Sequence, residues 1–244
     1  MIGFIIPTKN EPDITTLIKG IRRVMEAVGE DYSITLVDCS TDDTAELAKR
    51  AGASVIRQRS RGLGGAIKEG LLSVDAEVAF TMDADMSHDP EHIPTFLAKL
   101  REGYDVVVGS RKMEGGKALN WGLRRRLISD GANLLGRLVA GVDVSDLTSG
   151  YRAYRVSALR SLGLERIRAT GFAFQLEVLF HMLRSGFKAA SIPIIFRDRV
   201  KGRSKLSLRE VREFAATALR LGFSRLIPRS RPPWRPRTPS SDRS

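Results

Sequence analysis

Two rhythms of apolar and polar positions alternate along this chain. Short runs such as Ile2–Ile6 are apolar almost throughout, the pattern of a strand covered on both faces. Between them lie longer stretches whose apolar residues recur every three or four positions, as on a helix with one buried face. The first half predicts strands at Ile2–Ile6, Ile34–Val37, Ser54–Ile56, Glu77–Met82 and Asp105–Gly109. The helices between them cover Asp13–Ala27, a segment starting at Asp42 or Asp43 and running through TAELAKRAG, the glycine-opened GLGGAIKEGLL, and IPTFLAKLREG. Asp89-Pro90-Glu91 precedes the last of these as a cap, a first-position proline and an acidic first turn. Strand and helix in alternation predict an α/β fold, a mostly parallel central sheet flanked by helices.

The second half is less regular. It predicts helices at Leu119–Ala140 and Phe172–Arg184, a strand at Ala189–Phe196 and a charged loop, RDRVKGRSK. Leu206–Ile227 then carries Leu208, Val211, Phe214 or Ala215, Ala218 and Leu221 at helical spacing. Residues 1–227 thus read as one domain ending in an amphipathic helix at 206–227. Residues 228–244 are rich in Pro, Ser and Arg, and such a composition predicts disorder. No internal repeat occurs.

Composition narrows the partners. Lys and Arg number 40 against 28 Asp and Glu, a net charge of +12. Such a chain favours anions: nucleic acid, lipid headgroups or phosphorylated substrates. Aromatic residues make up only 7% of the chain and no nucleic-acid-binding motif is present, so a basic nucleic-acid-binding module is the weaker reading. The single cysteine, Cys39, excludes an internal disulfide and fits a reducing compartment. The opening MIGFIIPTKNEPD reads as a strand, not a signal peptide, and no apolar run approaches the roughly 20 residues of a bilayer span.

Polar residues gather where the strands of an open parallel sheet end, which is where such sheets bind ligands. These are Pro7-Thr8-Lys9-Asn10-Glu11, Asp38-Cys39-Ser40, Asp83-Ala84-Asp85 and Gly109-Ser110-Arg111. If the strand backbone continued, Asp83 and Asp85 would project to one side and repel unless a cation lay between them. Two hard oxygen ligands suit Mg²⁺ or Mn²⁺ bound together with a diphosphate. By itself a D-x-D is commonly a solvated turn; its place after an apolar strand favours the site. The glycines of GLGGA read as a helix start, Arg124–Arg126 as a solvated helix face, and His181 as a packing residue. His88 and His92 have neither metal-ligand nor triad spacing. Arg197, Arg199, Lys201, Arg203 and Lys205, grouped around Gly202, suit phosphate capture.

The ordered set IIPTKNE, LVDCSTDDT, RGLGGAIKEG, TMDADMSHDPE, VVGSRKMEGG, LTSGYRAYR and SKLSLRE resembles family 2 glycosyltransferases, and within them the dolichol- or polyprenol-phosphate mannosyltransferases. The resemblance spans about Ile2 to Arg225 and implies the GT-A fold. It implies transfer of a hexose, from GDP-mannose or alternatively UDP-glucose, to a polyprenyl or dolichyl phosphate. Such an enzyme would be peripheral on the cytosolic face of a membrane, or held there by a separate membrane subunit. It also implies roles: Pro7, Thr8, Asn10, Glu11, Val37, Asp38, Ala84, Gln175 and Glu177 for the donor, and Asp83, Asp85 and Ser87 for Mg²⁺ or Mn²⁺. Arg111, Arg125, Ser129, Arg199 and Lys205 would receive phosphates, with Asp85, Arg111, Arg199 and Lys205 at the chemistry. The chain departs from the pattern in four places. Val37-Asp38 lacks one carboxylate of the usual VDDGS, Lys9 replaces a common Tyr, Ser87 a Gln and Asp130 an Arg. The absence of Q-x-x-R-W argues against a processive synthase, and intact Asp83, Asp85 and Arg111 argue against a catalytically dead sugar-nucleotide-binding regulator.

Overall fold

The computed structural model describes residues 1–197 and 208–226. At its centre lies β1 (Ile2–Thr8), paired in parallel with β2 (Tyr32–Asp38) on one side and β4 (Val78–Thr81) on the other. With β3 (Ser54–Arg57), β5 (Val106–Ser110), β7 (Arg152–Arg155) and β8 (Ala189–Pro193) it forms a seven-stranded sheet of order β3-β2-β1-β4-β7-β5-β8. Every pairing is parallel except those of β7, which runs antiparallel to both β4 and β5. Side chains alternate along a strand. Phe4 and Ile6 therefore enter one apolar layer, under α1 (Ile14–Val28) and α4 (Ile93–Arg101), while Ile5 enters the other. That second layer lies under α3 (Gly62–Ser73), α6 (Val156–Leu162), α7 (Ala173–Arg184) and α8 (Leu208–Arg225).

The helices follow their apolar spacing. In α1, Ile14, Leu17, Ile18, Ile21, Val24 and Met25 are buried, and Gly29 ends the helix in the left-handed region, its amide donating to the Met25 carbonyl. Ahead of α2 (Thr44–Arg50) the carboxylate of Asp42, not Asp43, accepts from the Thr44 amide and hydroxyl. Asp89 accepts from the Glu91 amide and opens a 3-10 turn at Pro90–His92 that leads into α4.

Three readings of the second half change. The helix expected from Leu119 begins at Leu123 as α5 (Leu123–Leu135) and ends in a π-helix at Gly136–Ala140. Its first residues belong to β6 (Lys117–Leu119) and to a break, because Asn120 is left-handed and Gly122 extended. The strand expected over Ala189–Phe196 is two, β8 and β9 (Ile195–Arg197), the latter pairing with β6 in a two-stranded sheet. Pro193, without an N–H, ends the first ladder, and Ile194 bonds Ser110 through its amide and Lys117 through its carbonyl. The strand β7 and helix α6 went unpredicted because Arg152, fully buried at the centre of the sheet, disguises the strand as a polar turn. Its guanidinium donates to the carbonyls of Leu147, Ser149 and Gln175, which satisfies it without a carboxylate.

Candidate active site

A cleft of about 830 Å³ opens at the carboxyl ends of β1, β2, β4 and β5. Pro7, Thr8, Lys9 and Glu11 line it from β1. Asp38 lies beneath this wall. It is 1% exposed and accepts from the Thr8 hydroxyl (3.0 Å), the Ser40 hydroxyl and the Ser40 amide (3.2 Å), with Arg57 3.5 Å away. Its partners ahead of the cleft are thus protein groups, Val37 is packed in the core, and Cys39 lines the cleft at this point. Asn10 takes the left-handed conformation and staples the two loops, accepting from the Thr41 amide and donating its own amide to Ser40 Oγ.

The acidic pair follows β4, the strand beside β1. Regular strand ends at Thr81, so extended alternation does not orient these two side chains; a turn with left-handed Met86 carries them instead. Asp83, Ala84 and Asp85 all line the cleft. Ser87 does not. It is buried, and its hydroxyl and amide both donate to Asp85 Oδ1, holding that carboxylate in place. His88 supports Asp83 similarly. The Asp83 amide donates to Nδ1 (2.9 Å), which assigns the ring proton to Nε2, 3.8 Å from Asp83 Oδ2. Burial pushes this imidazole below the ordinary histidine range against the pull of Asp83 and Asp85, and its ring stacks on Tyr151.

Among the described residues no group of three His, Cys, Asp or Glu could enclose a metal. Two hard carboxylates on a cleft wall fit Mg²⁺ or Mn²⁺, ions that complete their shell with water and substrate phosphate oxygens.

Cations occupy the end of β5. Arg111 is held in a bidentate pair, Nε to Asp146 Oδ2 (2.7 Å) and Nη2 to Asp146 Oδ1 (2.9 Å), with Nη2 also donating to Thr148 Oγ1. Burial alone would raise the Asp146 carboxyl, but Arg111 outweighs it and keeps the group ionised. Sequence reasoning missed Asp146, whose signal was an acidic residue in the turn before LTSGYRAYR within an arginine-rich chain. The guanidinium carbons of Arg111 and Arg125 both lie 4.6 Å from the Trp121 ring centroid, and Phe196 meets that ring edge-on at 5.6 Å. Ser129 lies within hydrogen-bond distance of Thr148 Oγ1 (3.1 Å).

The remaining wall comes from α5, α7 and α8. Gln175 lines the cleft with Oε1 accepting from Tyr154 and a buried Nε2 that has no partner among the described residues. Glu177, two residues on and so on another face of the helix, is off the cleft; it accepts from the amides of Arg168 and Ala169 and pairs with Arg220 of α8 at 2.9 Å. Val211, Phe214 and Ala215 of α8 face the cleft beside Leu127, Ile128 and Leu135 of α5. Arg199, Lys201, Arg203 and Lys205 lie outside the described residues, as do Leu206, Ile227 and the C-terminal segment.

The Glycosyl transferase family 2 model matches residues 4–163. Undecaprenyl-phosphate mannosyltransferase of Micrococcus luteus is 37% identical over 229 residues, 90% of this chain and 93% of that protein. Polyprenol monophosphomannose synthase of Mycolicibacterium smegmatis is 34% identical over 237 residues, 93% of this chain and 89% of that protein. Among solved structures, glucosyl-3-phosphoglycerate synthase of Mycobacterium tuberculosis in complex with Mn²⁺, UDP and phosphoglyceric acid superposes with a TM-score of 0.71 at 24% identity, covering 94% of this chain and 80% of that one. Mannosyl-3-phosphoglycerate synthase of Rubrobacter xylanophilus gives 0.68 at 21%, covering 93% and 74%. The shared architecture is the GT-A fold.

Proposed function

The chain belongs to glycosyl transferase family 2 and is a glycosyltransferase, and on that premise we propose that it transfers mannose from GDP-mannose to the phosphate of a polyprenyl phosphate. The observation that carries this reading is the make-up of one cleft: carboxylates on one wall, guanidinium groups on another, and an apolar wall from α5 and α8. A sugar nucleotide and a phosphorylated lipid need those three surfaces together. The names of the two relatives, mannosyltransferase and phosphomannose synthase, favour mannose and a polyprenyl acceptor.

In this reading Asp83 and Asp85 hold Mg²⁺ or Mn²⁺ on the donor diphosphate, Asp85 oriented by Ser87 and Asp83 by His88. The metal's contribution is to neutralise charge on the nucleotide leaving group. Pro7, Thr8 and Glu11 flank the nucleotide, Asn10 and Asp38 fix the loops that carry them, and Gln175 turns its amide to the hexose. A polyprenyl phosphate is already anionic at neutral pH, so no protein base need remove a proton before it attacks the anomeric carbon. Attack in line with the departing diphosphate inverts that carbon. What the protein supplies is alignment and an offset to the repulsion of two anions. Arg111, its charge balanced by Asp146, contributes a fixed donor array, and Arg125, Ser129, Arg199 and Lys205 complete the acceptor's phosphate contacts.

Access to a lipid is supported by exposed apolar side chains. Leu123, Leu134 and Leu138 stand out from α5 and the π-helix, and Leu219, Phe223 and Leu226 from the end of α8, with basic residues beside them. No helix among the described residues is long and apolar enough to cross a membrane. The same face therefore suits peripheral binding at the headgroup boundary or contact with a membrane-embedded partner.

The test uses full-length protein, a short polyprenyl phosphate, Mn²⁺ or Mg²⁺, and radiolabelled GDP-mannose and UDP-glucose. Mannose transfer from GDP-mannose is the expected result, lost by at least about 100-fold in Asp85→Ala on removing a metal ligand. Transfer of glucose alone would replace the donor, and an Asp85→Ala enzyme as active as the parent would overturn the metal assignment.

A further inference from the structure

Trp121 has no part in the reaction just described, yet both arginines assigned to the phosphate pack against its ring. It is 8% exposed, lines the cleft, and its buried indole nitrogen has no acceptor among the described residues. A buried tryptophan N–H normally has a partner, and leaving one unpaired is costly. The groups packed against this ring cannot supply one. Arg111 and Arg125 present guanidinium groups, which only donate, and Phe196 presents a ring edge. Among the described residues nothing accepts from this N–H, so it is open to an acceptor on a ligand in the cleft, and the guanidinium groups beside it favour an anion with several acceptor oxygens.

We propose that the Trp121 indole N–H donates a hydrogen bond to the phosphate of the lipid acceptor, an assignment that rests on the reaction proposed above. The acceptor's phosphate is chosen over the donor's diphosphate on the reaction proposed above, in which the diphosphate goes with the metal at Asp83 and Asp85 and Arg111 and Arg125 receive the acceptor. With both guanidinium groups against it, Arg125 is held beside Arg111, a fork rigid enough to orient a tetrahedral anion.

Trp121→Phe keeps a ring against the arginines and removes the N–H. A lost hydrogen bond to a charged group predicts that KM for a short polyprenyl phosphate rises about tenfold, with kcat and KM for the sugar nucleotide changed by less than about twofold. An unchanged acceptor KM overturns the proposal. A rise confined to the donor's KM reassigns the N–H to the diphosphate, and an equal loss in every constant with a lowered melting temperature makes the residue structural; either result also overturns it. A second measurement needs no turnover. The chain has two tryptophans, so ¹⁵N-tryptophan labelling gives two indole N–H resonances, and Trp234→Phe leaves that of Trp121. Titration with short polyprenyl phosphate, without donor, is expected to move this resonance downfield to saturation. Binding of the lipid with no displacement overturns the inference. A saturable displacement without transfer from any donor would leave it standing while the proposed reaction falls.

Discussion

Glu177 shows how a carboxylate that resembles a site residue can instead hold the scaffold. Burial alone would raise its carboxyl. His181 3.9 Å away, the hydrogen bond from the Ala169 amide and the Arg220 guanidinium beside it together outweigh that effect and bring it from 4.5 to about 2. A carboxyl depressed by folding contributes stability that is complete above its unfolded pKa and lost as the pH falls through the folded one. At about 1.4 kcal/mol per unit these partners together contribute ~3 kcal/mol at neutral pH, lost between roughly pH 4.5 and 2. Glu177→Gln should thus lower the urea midpoint at pH 7, with the gap from the parent closing as the pH approaches 2. A gap independent of pH would contradict this account. Neighbouring positions show what the sequence exposes at this scale. Asp83 and Asp85 are legible because two carboxylates after an apolar run demand a partner. The support roles of Ser87, His88 and Asp146 are not, because nothing in a sequence tells which oxygen a hydroxyl, imidazole or guanidinium will meet across a fold.

Among the elements, α3 packs tightly against the backbone ahead of α7 at Gly64. A Cβ there would lie 2.5 Å from Phe174 Cβ and 2.7 Å from the carbonyl oxygens of Thr170 and Gly171, and backbone cannot step aside as a flexible side chain can. Gly64→Ala should destabilise the protein by about 1–3 kcal/mol, as overpacking does, and weaken donor binding as the adjoining cleft wall shifts. Thermal melting and titration with the sugar nucleotide check both, and a variant as stable as the parent would contradict the contact. The first half of the chain was legible at this scale because its strands are apolar throughout and its helices have one clean stripe. The second half was not. An interior arginine hides β7, left-handed Asn120 cuts a helix that its periodicity continues, and Pro193 splits a strand between two sheets. α8 does two things that its spacing could not separate: Phe214, Ala218 and Leu221 are buried against the core, while Leu219 and Phe223 remain exposed.

Across the whole molecule, the charge of +12 resolves into local purposes. Some arginines are interior struts, as Arg152 is; Arg111 is balanced by Asp146; others flank the exposed leucines of α5 and α8. The fold by itself does not choose the acceptor, since the solved neighbours that share it carry phosphoglycerate in their names. In the proposed reading the choice comes from the apolar wall that α5 and α8 give the cleft, which a small water-soluble acid would leave unused. Central to the account, therefore, is that the hexose goes to a lipid. The most direct measurement offers the full-length enzyme radiolabelled GDP-mannose and Mn²⁺ with equal concentrations of short polyprenyl phosphate and phosphoglyceric acid, then partitions the products between organic solvent and water. The account predicts that the label moves into the organic phase as a polyprenyl phosphomannose. Label transferred to phosphoglyceric acid in the aqueous phase, with none on the lipid, would contradict it.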